Sequence, residues 1–155
     1  MVMPLPRRAR GFTLIELMIG IIIVAILASI AVPSITKLVS TVRAKGTSSD
    51  LFSSILRARS EAIRLNASVV MTPVTAGRWD SGWSLTHAGS TTALETHDAI
   101  VQTIITGPNT LTYMSNGRVQ GTTAPAFTIT TENASSERCV AVDLSGRPYQ
   151  KSTAC

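Results

Sequence analysis

Charge is scarce in this chain. Only 15% of its residues are Asp, Glu, Lys or Arg, while Ser and Thr are abundant. Such a surface relies on hydroxyls for solvation, as is common in exported β-rich domains. Histidine and cysteine are as sparse, with two of each. There is no nucleophile elbow, no paired metal-ligand spacing and no phosphate-binding loop. His87, His97 and the adjacent Asp98 are too isolated to form a catalytic constellation, and Asp80-Ser81-Gly82 lacks the alternating acids of a calcium loop. These absences argue against an enzyme and leave no metal or cofactor to expect. Internal repeats and low-complexity tracts are missing too, which excludes solenoids and disordered tails.

Even the basic surplus is small. The formal net charge of +5 and a pI near 9.9 invite a nucleic-acid partner. However, Arg7, Arg8 and Arg10 supply three of the fourteen cations and precede every acid. Beyond them eleven basic side chains face nine acidic ones, a surplus of two. Only a local patch, not the field of the whole molecule, can then argue for DNA.

What the chain does have is a long apolar run. From Phe12 to Val32 its 21 residues are interrupted only by Thr13, Glu16 and Ser29. At about 1.5 Å per residue, a helix of this length matches a hydrocarbon core of about 30 Å. Arg7, Arg8 and Arg10, with no acid among them, hold the N-terminus in the cytoplasm and send the rest across. Glu16 is the anomaly, because a carboxylate in hydrocarbon costs at least a few kcal/mol and needs a partner. Gly11 offers a bare backbone to a protease. Cleavage after it would free an α-amine on Phe12, and in a staggered array of helices that amine can meet the Glu16 of a neighbour. An ordinary secretory signal has an apolar region of only about 7–15 residues and no acid near its start.

The helical pattern continues beyond Pro33, which should kink the helix rather than end it. Ile35, Leu38, Val42, Ser49, Phe52, Leu56 and Ile63 fall on one stripe, expected to lie on a sheet. The helix is read from Phe12 to about Leu65, roughly 80 Å long, with Asn66 as its stop. From Ser68 onward, short segments rich in Val, Ile, Thr and aromatics read as strands: Ser68–Val74, Trp83–His87, Ala99–Thr106, Thr110–Met114, Arg118–Gln120, Ala126–Thr131 and Cys139–Asp143. Asn116-Gly117 signals a type I′ hairpin turn, Pro73 an edge or strand end, and Trp79 and Trp83 core aromatics. The expected fold is α+β: a long, partly transmembrane N-terminal helix packed on a small antiparallel two-sheet domain. Its organisation reads as a leader over 1–11, a membrane helix over 12–33, an amphipathic helical half over 34–66 and a β domain over 67–155.

The stretch Gly11-Phe12-Thr13-Leu14-Ile15-Glu16-Leu17 resembles the processing site of type IV pilins and pseudopilins. The resemblance implies cleavage between Gly11 and Phe12 by a prepilin peptidase, N-methylation of Phe12, and Glu16 as the assembly glutamate. It implies an inner-membrane subunit with its C-terminal domain in the periplasm, later joining other subunits in a pilus or pseudopilus. The layout further resembles the FimT/GspH branch, through Tyr113-Met114-Ser115-Asn116-Gly117-Arg118 and Arg138-Cys139-Val140-Ala141-Val142-Asp143-Leu144-Ser145-Gly146-Arg147. Both segments look like that branch's strand, glycine turn, arginine pattern. A minor pilin is the reading favoured here. A minor pseudopilin of type II secretion is the close alternative, and a membrane-anchored periplasmic enzyme the distant one.

Cys139 and Cys155 enclose fifteen residues in an exported domain, where oxidation is permitted. A disulfide closing that loop contributes about 3 kcal/mol and would tie the tail to a strand. Within the loop, Gly146, Arg147, Tyr149 and Lys151 combine two cations with an aromatic, a pattern suited to phosphate contact and base stacking. FimT-type minor pilins are associated with capture of double-stranded DNA through a C-terminal Gly-Arg-x-Arg loop. Gly146 and Arg147 match it, Tyr149 stands at the next arginine position, and the second cation arrives at Lys151. A solvated turn with incidental charges is the competing reading of the same residues. Arg138 and Arg118 are candidates for the same patch.

Overall fold

The computed structural model describes residues 11–132 and 137–155, so all of the expected leader except Gly11 lies outside it. Among the described residues one helix, α1 (Leu14–Leu65), is followed by eight strands. They are β1 (Val69–Thr75), β2 (Arg78–His87), β3 (Glu95–His97), β4 (Thr103–Thr106), β5 (Leu111–Tyr113), β6 (Ala126–Thr131), β7 (Arg138–Val142) and β8 (Pro148–Lys151). Two compact units divide the chain between Thr36 and Lys37.

The local chemistry at both ends of α1 explains its limits. Thr13 is the N-cap: its Oγ1 accepts the Glu16 N–H at 3.3 Å and its carbonyl accepts that of Leu17 at 3.2 Å. Thr13-Leu14-Ile15-Glu16 therefore has the Thr-x-x-Glu form of a capping box, with its acid in the first turn, where the helix dipole favours negative charge. Pro33 lies inside α1 and does not end it. At the other end Asn66 takes φ 48° and the Ala67 N–H bonds back to the Ala62 carbonyl. That is the left-handed cap by which helices commonly stop.

Of the expected stripe, Phe52 packs half-buried against the core, but most of the face that α1 turns to the sheet is a different one. Ser40, Ala44, Thr47, Ser48, Leu51, Ser54, Ile55, Ala58 and Ala62 are buried. Leu38, Val42, Leu56 and Ile63 are exposed, at 64%, 62%, 42% and 53%. Both sets recur at spacings of three and four, so periodicity alone does not choose between them. Side-chain volume decides. The sheet brings Trp79, Trp83, Tyr113, Phe127 and Met71, all fully buried, and these bulky groups leave room for mainly small residues on the helix. The hydroxyl-bearing face is also tied down by hydrogen bonds: Thr131 Oγ1 donates to the Ser40 carbonyl and Gln150 Nε2 to that of Ser48.

The strands are antiparallel throughout, in the order β5-β1-β2-β4-β6-β7-β8 with β3 on β2. Two ladders, β5-β1-β2-β3 and β4-β6-β7-β8, join through the single pair Arg78↔Thr106. The expected two sheets thus run together as one at this point. Beside the junction, Asp80 substitutes for backbone pairing: its Oδ1 accepts the Ile105 N–H at 3.2 Å while its carboxylate holds Arg78 at 2.7 Å. The Arg78 hydrogen bond, in turn, holds the Asp80 carboxyl below its ordinary pKa.

Several strands differ from expectation. β2 begins earlier, at Arg78, whereas β4 starts only at Thr103, after Gln102 takes φ 58°. Arg118–Gln120 contributes an isolated bridge, Tyr113↔Val119. Gly117 alone takes positive φ (73°) in its turn, with Gly117 N–H bonded to the Met114 carbonyl and Met114 N–H to that of Arg118. This is a type I turn closed by a glycine bulge, not type I′. Pro73 sits on β1 beyond the residues that β5 covers, where its missing N–H costs nothing.

Candidate functional site

In the N-terminal unit, Gly11, Phe12 and Thr13 precede the helix, and every described residue through Thr36 is exposed. Phe12, Leu14 and Ile15 are 81%, 76% and 64% exposed. Among the described residues one helix, α1, is long and apolar enough to cross a membrane. Glu16 stands in its first turn with Leu14, Ile15, Leu17 and Met18 around it, all uncovered.

In the second unit, Gly146 and Arg147 stand in a turn, and the basic tail becomes a strand from Pro148 to Lys151. β8 pairs with β7 through Cys139↔Lys151, Val140↔Gln150, Ala141↔Tyr149 and Val142↔Pro148. Side chains alternate across a strand. Pro148 and Gln150 therefore share the face of Val140 and Val142, which packs on α1, and Gln150 reaches the Ser48 carbonyl at 3.2 Å. Arg147, Tyr149 and Lys151 take the opposite face. Lys151 Nζ lies 5.3 Å from the centroid of the Tyr149 ring, and Arg147 and Lys151 are exposed. Cys139, on that same face, is bonded to Cys155, which anchors the tail beyond Lys151.

The remaining candidates fall elsewhere. Arg138 pairs with Ile129, on the face of Phe127 and Val140 and at the end of the β7–β8 hairpin opposite Arg147. It does not join the stripe. Gly146 is buried with φ 87°, and a Cβ there would fall 1.9 Å from the Gly117 carbonyl oxygen. Its role is packing; it offers no surface to a ligand.

Asp143 organises the turn before β8. Its Oδ1 accepts the Arg147 N–H at 3.0 Å and the Ser145 hydroxyl, and its Oδ2 lies 3.7 Å from Arg147 Nε. The Ser145 hydroxyl first, then the Arg147 N–H, hold the Asp143 carboxyl below its ordinary range. His97 ends β3 and stacks on Trp83 with centroids 4.0 Å apart. Nearby, Glu95 accepts the Ser54 hydroxyl at 3.1 Å and pairs with Arg57 at 2.9 Å. That cluster has a structural explanation in joining β3 to α1.

A family profile described as type II transport protein GspH matches residues 47–146, well over half of the chain. The chain belongs to the GspH family. A second profile, the prokaryotic N-terminal methylation motif, matches residues 6–32. Two crystal structures of the type IV minor pilin FimU of Pseudomonas aeruginosa PAO1, in space groups P21 and P65, share the fold seen here. Each is 21% identical and superposes with a TM-score of 0.62 over 69% of this chain, covering 87% and 91% of the respective FimU chains. At that identity the likeness is one of fold. No curated protein matches the sequence. As a GspH-family member with a methylation motif and a pilin-like α+β fold, the chain is of the minor pilin and pseudopilin type.

Proposed function

We propose that this chain is a minor type IV pilin whose sheet domain contacts double-stranded DNA. It is cut between Gly11 and Phe12, methylated at Phe12, and held in the inner membrane by residues 12–33 with the β domain in the periplasm. It then joins other pilin subunits as Glu16 meets the α-amine of a neighbour. The exposed aliphatic stripe of α1, Leu38 to Ile63, supports assembly, since such a stripe in water calls for a covering partner.

One observation carries the DNA reading: Arg147, at the end of the turn before β8, and Tyr149 and Lys151 on β8 follow one another at alternate positions on the outward side. Two cations about 13 Å apart along a strand, with an aromatic between, suit a polyanion with stacked bases. The test is duplex binding by the full-length protein in neutral detergent across a salt series. Arg147→Gln and Lys151→Gln should each weaken binding and flatten the logarithmic salt slope by about 0.9. Binding that ignores both substitutions would remove this site. N-terminal sequencing of the same preparation from its bacterial host must begin at Phe12, or the processing step fails.

Membership of the family of type II transport protein GspH favours one second reading, a minor pseudopilin. Deletion of the gene separates the two, through loss of DNA uptake or loss of protein secretion.

A further inference from the structure

β5 and β8 are the two ends of the strand order, yet the turns attached to them touch. The Gly117 carbonyl is pressed against Gly146, and the buried Tyr113 hydroxyl on β5 donates to the Gly146 carbonyl at 3.1 Å. Arg59, from α1, fastens both turns from below: Nε donates to the Gly117 carbonyl at 3.1 Å and Nη2 to that of Ser145 at 3.4 Å. Each glycine is followed by an arginine, Arg118 on one edge and Arg147 on the other, and both are exposed.

From this junction we infer that Arg118 and Arg147 form a two-point clamp for phosphates of one DNA backbone, laid across the seam where the sheet edges meet. The inference rests on the reading of this domain as DNA-binding and adds to it a second edge and a path for the duplex.

Covalent geometry limits the separation. The chain from Gly117 O to the Arg118 Cα and from Gly146 to the Arg147 Cα keeps those two Cα atoms within roughly 10 Å. Flexible arginine side chains from such positions reach successive phosphates of one strand, which rise about 3.4 Å per nucleotide along the duplex axis. The Arg118 guanidinium makes no hydrogen bond or ion pair among the described residues, while its backbone N–H is held by Asn116 Oδ1 at 3.0 Å. The base of this arginine is fixed and its charge is unspent. Asp143 is the carboxylate beside Arg147: it accepts the Ser145 hydroxyl and the Arg147 N–H, and its Oδ2 lies 3.7 Å from Arg147 Nε, an exposed pair that a phosphate must displace. A single anion would satisfy the clamp alone. The run of Tyr149 and Lys151 onward along β8 calls for an extended polyanion with regular spacing.

The experiment uses the full-length protein in neutral detergent and a short fluorescein-labelled duplex, read by anisotropy over a NaCl series. Arg118→Gln should lower the logarithmic salt slope by about 0.9, and Arg118→Gln with Arg147→Gln by about 1.8. Arg118→Lys, which keeps the charge, should retain the wild-type slope. If Arg118→Gln binds with the wild-type slope while Arg147→Gln does not, the clamp is refuted and the DNA reading stands. If the wild-type protein shows no salt-dependent binding, the DNA reading falls and the clamp with it.

Discussion

Gly146 is where a one-carbon change should do the most damage for its size. Its φ of 87° is a left-handed conformation, and an added Cβ would lie 1.9 Å from the Gly117 oxygen. The left-handed conformation alone costs an alanine about 1–2 kcal/mol. The steric conflict is worse, because the opposing atom belongs to backbone and cannot rotate away. Relief requires the two turns to separate. That movement breaks the buried Tyr113–Gly146 hydrogen bond, worth about 0.5–1.5 kcal/mol, and loosens the Arg59 contacts to Gly117 and Ser145. Together these contributions make Gly146→Ala cost about 1.5–3.5 kcal/mol before the loosened Arg59 contacts are added, a large fraction of the roughly 5–15 kcal/mol that typically holds a protein folded.

Gly89→Ala supplies the control. Gly89 has nearly the same φ, 83°, but nothing lies within 4 Å of an added Cβ. That variant should lose only the conformational term, about 1–2 kcal/mol. Thermal unfolding of the full chain in neutral detergent, followed by the near-ultraviolet signal of the buried Trp79 and Trp83, measures both. Gly146→Ala should melt on the order of 10 °C below wild type, and well below Gly89→Ala. Equal losses in the two variants would refute the claim that the sheet edges are locked by glycine contact.

Tyr113 gives the same junction a pH signature. Burial pushes its hydroxyl above the ordinary value of 10.0, so the folded chain keeps a proton that the unfolded chain releases. Stability from this source is intact below about pH 10 and declines as the pH rises further; Tyr113→Phe should abolish that decline in alkaline thermal melts, and an undiminished decline would discount the group. Along α1, Ile55→Ala should cost about 2–5 kcal/mol and Leu56→Ala within about 0.5 kcal/mol, since Ile55 is fully buried and Leu56 is 42% exposed. The reverse order in the same melts would restore the aliphatic stripe as the packing face.

How far the chain could be read in advance depends on where each signal is stored. Thr13, Asn66 and the apolar run are local signals, and the limits of α1 follow from them almost residue by residue. β1, β5, β6 and β7 likewise carry their own β-branched and aromatic patterns. β3 and β8 do not. Glu95-Thr96-His97 and Pro148-Tyr149-Gln150-Lys151 become strands because β2 and β7 offer edges to pair with, and β8 is pinned besides by the Cys139–Cys155 bond. The packing face of α1 was hidden for a similar reason. Two faces share one period, and the choice between them is made by the size of Trp79, Trp83 and Phe127 on a sheet far along the chain.

The glycine turns show how much the tertiary fold adds to a motif. Gly117-Arg118 and Gly146-Arg147 are two copies of the same short pattern, with nothing in their spacing to say that they meet. The sheet brings them together by curling until its ends touch, and each glycine then has a steric reason to be glycine: Gly117 against Ile63 of α1, Gly146 against Gly117 itself. Once the backbones are that close, the Cα atoms of the following arginines are held within roughly 10 Å of each other. The lock and the charge pair are thus one construction, so that loosening Gly146 would disperse Arg118 and Arg147 without touching either charge.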